Sequence, residues 1–215
     1  MLDLNFRVEC ADVLEFAAVP TLLFKLRIET LESEPVCAVT LRTQIRIAAT
    51  QRTYKPAEQA RLANVFGEPQ HWATTLQSLL WMHTTVQVPS FSERTVVDML
   101  VPCTYDFEVV SAKYLYALED GEIPLEFLFS GTIFYRSREG MLQVVQIPWE
   151  KEAQFRLPIR LWQQMMAHYF PNSVWLRLHK DTFDRLHSYQ VQQGLPTWEA
   201  ALERLLQASE GWEPL

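Results

Sequence analysis

The sequence predicts an α+β protein: an antiparallel β-sheet or sandwich over about residues 1–150, followed by a C-terminal group of α-helices. Three observations carry this expectation. Apolar and polar residues alternate through most of the first 150 positions, Asp120-Gly121 stands between apolar arms as a hairpin signal, and helical spacing takes over beyond Pro148. No low-complexity linker or internal repeat interrupts the chain, and "PWEKEAQFRLP" is too apolar for a free tether. A single integrated domain over 1–215 is therefore expected, β-rich over 1–150 and helical over 151–215.

Taken in order, Pro20 to Glu29 sets Leu22, Phe24, Leu26 and Ile28 against Leu23, Lys25, Arg27 and Glu29, the pattern of a half-buried strand. Val36 to Ala48 repeats it with Val39, Leu41, Ile45 and Ile47 inward, and Thr43 breaks the apolar series. Pro56 opens a short helix that Gly67 closes. Leu76 to Val88 ends as a strand, since Thr84, Thr85, Val86 and Val88 favour extended backbone.

The longest signal runs from Thr95 to Arg136. Val97, Met99, Val101, Cys103, Tyr105, Phe107 and Val109 share one face and Asp98, Thr104, Asp106 and Glu108 the other, which predicts a long amphipathic strand. Asp120-Gly121 then predicts a type I′ turn, with Glu122 to Arg136 as the return arm. On that arm Leu125, Phe127, Phe129, Ile133 and Tyr135 face inward. Ser130 lies mid-strand, without the Gly-x-Ser-x-Gly turn of a nucleophile, and Gly131 marks a bulge or a close backbone approach. Met141 to Ile147 is a further strand. Helices are expected from Pro158 to Pro171, over Asp181 to Gln193, and after Thr197, which caps "WEAALERLLQA".

Composition narrows the function. Acidic residues outnumber basic ones by 26 to 19 and no run of Lys or Arg reaches three, so a nucleic acid partner is not expected. The start "MLDLNFRVEC" lacks the pattern of a signal peptide and no segment suits membrane insertion. With Cys10, Cys37 and Cys103 widely spaced and odd in number, the expected location is the cytoplasm. His71, His83, His168, His179 and His187 show no helical metal-pair spacing, no Cys-x-x-Cys exists, and no glycine-rich phosphate loop is present, so neither a metal nor a cofactor is expected. Asp98, Asp106 and Glu108 read as a solvated strand face, and Cys103 as an inert buried thiol. No catalytic residue is proposed.

Seven tryptophans and seven tyrosines are abundant for a domain of this size. Trp81, Trp149 and Trp175, with His83 in "LLWMHTT", are the candidate partner-binding residues; the alternative for the tryptophans is that they fill the seam between sheet and helices, and for His83 a hydrogen-bonded strand histidine.

"VPCTYDFEV", "KYLYALEDGEIPLEFLFSGTIFY", "QIPWEKEAQFRLP", "YFPNSVWLRL" and "AAVPTLLFKLRI" resemble, nearly end to end, a family of uncharacterised bacterial proteins, a domain of unknown function. The resemblance implies gene neighbourhoods of nickel-iron uptake hydrogenases, and hence an accessory or assembly role with a hydrogenase subunit or maturation factor as protein partner. Cys103 to Tyr135 is also faintly similar to SecB-type export chaperones, although Pro102-Cys103 is reversed and "GEIPLEFLF" replaces the usual Gly-Phe-Pro segment. That likeness implies a helix over Asp106 to Leu118 and a holdase role. The expectation is a non-enzymatic accessory protein; the rival is an apolar-ligand binder or enzyme with a pocket between sheet and helices, lined by Tyr105, Phe107, Phe127 and Phe129.

Overall fold

The computed structural model describes residues 2–30, 32, 34–106, 109–174 and 176–210. Contacts gather into two compact units, 1–175 and 176–215. The first is built on two antiparallel sheets. In the smaller, β2 (Thr21–Thr30) lies between β1 (Leu4–Val13) and β5 (Arg94–Pro102). In the larger, the order is β4 (Leu79–Val88), β3 (Val36–Ile47), β6 (Glu122–Arg136), β7 (Leu142–Gln146). β8 (Glu152–Pro158) pairs with the first half of β6 and β7 with the second.

Alternation decides which faces meet. Leu22, Phe24, Leu26 and Ile28 of β2 are fully buried, as are Val39, Leu41, Ile45 and Ile47 of β3. The Phe24 ring stands edge-on to Phe127 at 5.3 Å and to Phe155 at 5.9 Å, and Phe6 stacks on Phe129 at 4.4 Å. The two sheets thus close a sandwich over one aromatic and aliphatic core. Phe127 and Phe129 are packed across it, rather than lining an open pocket as the ligand-binding expectation had them. Thr43 keeps the inward phase as a polar residue, 1% exposed, and its Oγ1 has no hydrogen-bond partner.

Gly131 shows why the return arm carries a glycine at its centre. Its φ is +139°, and a Cβ built there would lie 2.0 Å from the Thr40 carbonyl oxygen of β3. Of the two expected roles, bulge or close approach, close approach is the one found: the β3–β6 register runs through Leu41↔Gly131 without a shift. Ser130 beside it is exposed and opposite Arg42, an ordinary strand position.

The expected strand through Val109 and the hairpin at Asp120-Gly121 do not form. β5 stops at Pro102, and residues Val110–Ala117 make a helix, α3. Buried Ser111, Ala112, Tyr114, Leu115 and Ala117 recur at helical spacing. Asp120-Gly121 therefore joins helix to strand, with Gly121 in the left-handed region at φ +81°. Phe107 and Glu108 lie outside the described residues. Asp98 is exposed, as expected, and pairs with Lys25 at 2.6 Å; Asp106 is half-buried.

α1 (Pro56–Phe66) begins at Pro56 and ends on Gly67, as read. The short α2 (Trp72–Thr75) follows, and α4 (Ile159–Tyr169) leaves β8 directly, burying Ile159, Trp162, Met165 and Met166. β1 and β8 are strands beyond those that the sequence predicts, and β8 carries the sheet into the segment expected to be helical. In the second unit, α5 (Lys180–Gln192) and α6 (Trp198–Glu210) meet through Phe183, His187 and Trp198. The Ala200 N–H donates to Thr197 Oγ1 at 3.1 Å, the expected cap. Among the described residues no helix is long and apolar enough to cross a membrane.

Candidate functional site

β7 reads Leu-Gln-Val-Val-Gln, five residues without a charge, at the open edge of the larger sheet. Its inward Val145 packs on the core, while Leu142 and Val144 are 60% and 57% exposed on the outer face. Across β6, Phe134 pairs with Val144 on that face. Edge strands are ordinarily guarded by charge or a bulge; β7 itself has no charge, and the chain bulges away from β6 only after it, between Ile147 and Lys151. Trp149, in the loop after β7, is 90% exposed. A fully solvated indole forgoes one of the largest burial gains that a side chain offers.

The other candidates do not join it. Trp81 lies half-buried on β4, packed against the core, and His83 points outward from the same strand opposite Gln44. β4 and β7 are opposite edges of the sheet, so His83 and Trp149 belong to separate surfaces. Trp175 falls outside the described residues.

Reading the sequence missed Phe16, which is 99% exposed at φ +57° in the β1–β2 turn. The turn is tied down where Tyr169 Oη donates to the Ala17 carbonyl at 2.8 Å. Its signal was an unpatterned apolar residue, within "LEFAAVP", between two strands.

An aromatic cleft of about 570 Å³ opens between α3, α4 and the chain after α4. Tyr105 stacks on Phe170 at 5.7 Å and meets Tyr116 and Trp162 edge-on, each at 5.9 Å. Arg61 and Glu119 form a 2.5 Å ion pair at its rim. Trp162 is 2% exposed and its Nε1 has no hydrogen-bond partner. Burial pushes the Tyr105 hydroxyl above its ordinary range.

A buried polar cluster holds α1 to the α3–β6 turn. Arg52 donates to the Asp120 and Glu122 carbonyls and pairs with Glu58 at 2.8 Å, while the Lys55 and Glu119 N–H groups donate to the same carboxylate. Burial alone would raise the Glu58 pKa; those two N–H groups and the guanidinium outweigh it and hold the carboxyl below its ordinary range. Arg52 Nε lacks a hydrogen-bond partner, and the paired atoms clasp α1 to the α3–β6 turn. Burial likewise pushes the Cys103 thiol up to about 12, in keeping with an inert thiol. No group of three His, Cys, Asp or Glu side chains that could hold a metal occurs among the described residues.

The fold is thus an α+β protein on a two-sheet antiparallel sandwich, with a solvated tryptophan and an uncharged edge strand. The chain belongs to the Family of unknown function (DUF6084), which matches residues 1–213. No curated protein matches it. Among solved structures, it is similar to the CARDB domain of a Pyrococcus furiosus protein, at 13% identity and a TM-score of 0.29, covering 73% of this chain and 92% of that one. The ApaA protein of Bordetella pertussis is similar at 12% identity and TM-score 0.25, covering 73% and 92%. β-Glucosidase 3B of Thermotoga neapolitana is similar at 12% identity and TM-score 0.24, covering 73% of this chain and 17% of that enzyme.

Proposed function

We propose that this chain is a non-enzymatic cytoplasmic accessory protein that binds another protein through the surface around β7 and Trp149. The observation that carries the reading is the 90% exposure of Trp149 beside the exposed Leu142 and Val144. Tryptophan is the residue type most enriched among side chains that dominate binding energy, because one rigid ring desolvates a large area at small entropic cost. The partner implied by the sequence resemblance is a nickel-iron hydrogenase subunit or maturation factor. Co-expression of the tagged chain with the large and small subunits and their maturation proteins tests this. Co-purification is expected, and Trp149→Ala should weaken it by roughly thirtyfold, the loss of about 2 kcal/mol typical of a dominant contact. No co-purification with any of these proteins would sink the hydrogenase partner, and undiminished binding by the variant would sink the surface.

A second reading, an apolar small-molecule binder, is favoured by the cleft around Tyr105 and Trp162, whose volume lies within the range of ligand sites, about 300–1,000 Å³. Quenching of tryptophan emission by an apolar dye, abolished in Tyr105→Ala, would support it. Identical titrations of the two proteins would end it.

A further inference from the structure

We infer that two copies of this chain pair edge to edge through β7, antiparallel about a two-fold axis at Val144. The backbone sets the geometry. Ile147 N–H donates to the Gly131 carbonyl and Ser137 N–H to the Met141 carbonyl, in the register that sets Val145 opposite Ile133. Residues 141, 143, 145 and 147 therefore spend their backbone groups on β6. Leu142, Val144 and Gln146 turn theirs to the open edge.

A second copy of this edge fits it. With Val144 opposite Val144, Leu142 of each copy falls opposite Gln146 of the other, and each pair exchanges both of its backbone bonds. Because β7 has no charge, no like charges meet along the seam. Antiparallel pairing also brings the 137–140 turn of one copy beside the 148–151 loop of the other. Arg138, which pairs through Nε with Glu34 at 3.3 Å and keeps its side chain 80% exposed, then brings the rest of its guanidinium towards the exposed Glu150, with the Trp149 ring within reach. The two-fold repeats that opposite-charge contact at both ends. Other edges are less suited: β1 carries Arg7, Glu9 and Asp12, and β4 approaches β5 of the other sheet, where Thr84 Oγ1 donates to the Leu100 carbonyl at 3.5 Å.

Sedimentation equilibrium and light scattering over a concentration series test the pairing. The wild-type chain is expected to be a dimer at micromolar concentration. Val144→Pro deletes an N–H that points to the open edge, a position where strands accept proline, so the fold persists while one bond is lost from each copy at the axis. Its dimer dissociation constant should rise by about tenfold or more. Should that variant fail to fold by circular dichroism, Arg138→Glu should weaken the dimer and Arg138→Glu with Glu150→Arg should restore it. A monomeric wild type overturns the pairing and leaves β7 as an edge for another protein's strand. So does a dimer that neither substitution weakens. The pairing rests on the β7 surface of the proposed function but is read as molecular mass, and hydrogenase binding as co-purification, so either proposal can fail alone.

Discussion

Arg52 and Glu58 form an ion pair at 2.8 Å with side chains only 8% and 1% exposed, six residues apart across the start of α1. The pair does local and long-range work together: Glu58 accepts from the Lys55 N–H as a helix-capping carboxylate, and from the Glu119 N–H across the fold.

Glu58→Gln should destabilise the protein by about 3 kcal/mol, since it strands a buried guanidinium. The pH dependence has a definite sign. A carboxyl held below its ordinary value of 4.5 contributes stability that is fully present above that value and lost as pH falls through the depressed folded value. Urea titrations from neutral to acidic pH should therefore show wild type losing stability faster than the variant below about pH 4.5, the two curves converging in acid. Parallel curves would mean that the carboxyl is not linked to folding.

Gly131→Ala should cost about 3–5 kcal/mol, measured by denaturant unfolding, because the new methyl meets the Thr40 carbonyl of a paired strand rather than a movable side chain. Ser130→Ala one position earlier should change stability by less than about 0.5 kcal/mol, as at other exposed positions. Similar costs at both sites would refute the close-approach account.

Thr43→Val should raise stability by about 1 kcal/mol, since it replaces a buried hydroxyl without a partner by a methyl of the same shape. A melting temperature that falls would show that Oγ1 is hydrogen-bonded after all.

Tyr54 and Tyr114 share a hydrogen bond at 2.9 Å, and Tyr54 Oη also donates to the Ala49 carbonyl at 2.6 Å. A carbonyl can only accept, so Tyr114 is the donor to Tyr54. Tyr114→Phe should then cost about 1 kcal/mol and Tyr54→Phe more, since the latter leaves two groups unanswered. The reverse order in thermal melts would overturn this assignment of donors.

The strands with strict alternation, β2, β3 and β6, were legible because each buries one face, and a period of two is the direct record of that. The segment from Thr104 to Leu118 misled for a physical reason: its alternation through Val109 continues β5 on paper, but the backbone leaves the sheet after Pro102. The next stretch is helical with Tyr114 and Leu115 buried, within the Asp106 to Leu118 helix that the chaperone likeness implies and that the alternation through Val109 obscures. β1 did carry an alternation in Leu4, Phe6 and Val8, masked by the register shift between Val8 and Cys10. At the candidate surface, composition could nominate Trp149 but could not separate it from Trp81: a solvated and a half-buried indole have the same letter. That β7 is an edge strand depends on the order of strands in the sheet, which no single segment encodes.

The sealed thiol of Cys103 gives the chain an internal clock. Cys10 is exposed and Cys37 partly so, while Cys103 is buried, its thiol pushed up to about 12. A thiol reagent near neutral pH titrates the first two from the native protein and reaches the third only when the end of β5 parts from the Pro20 carbonyl that binds its N–H. The slow phase of labelling counts those openings one molecule at a time, with no probe added to the sequence.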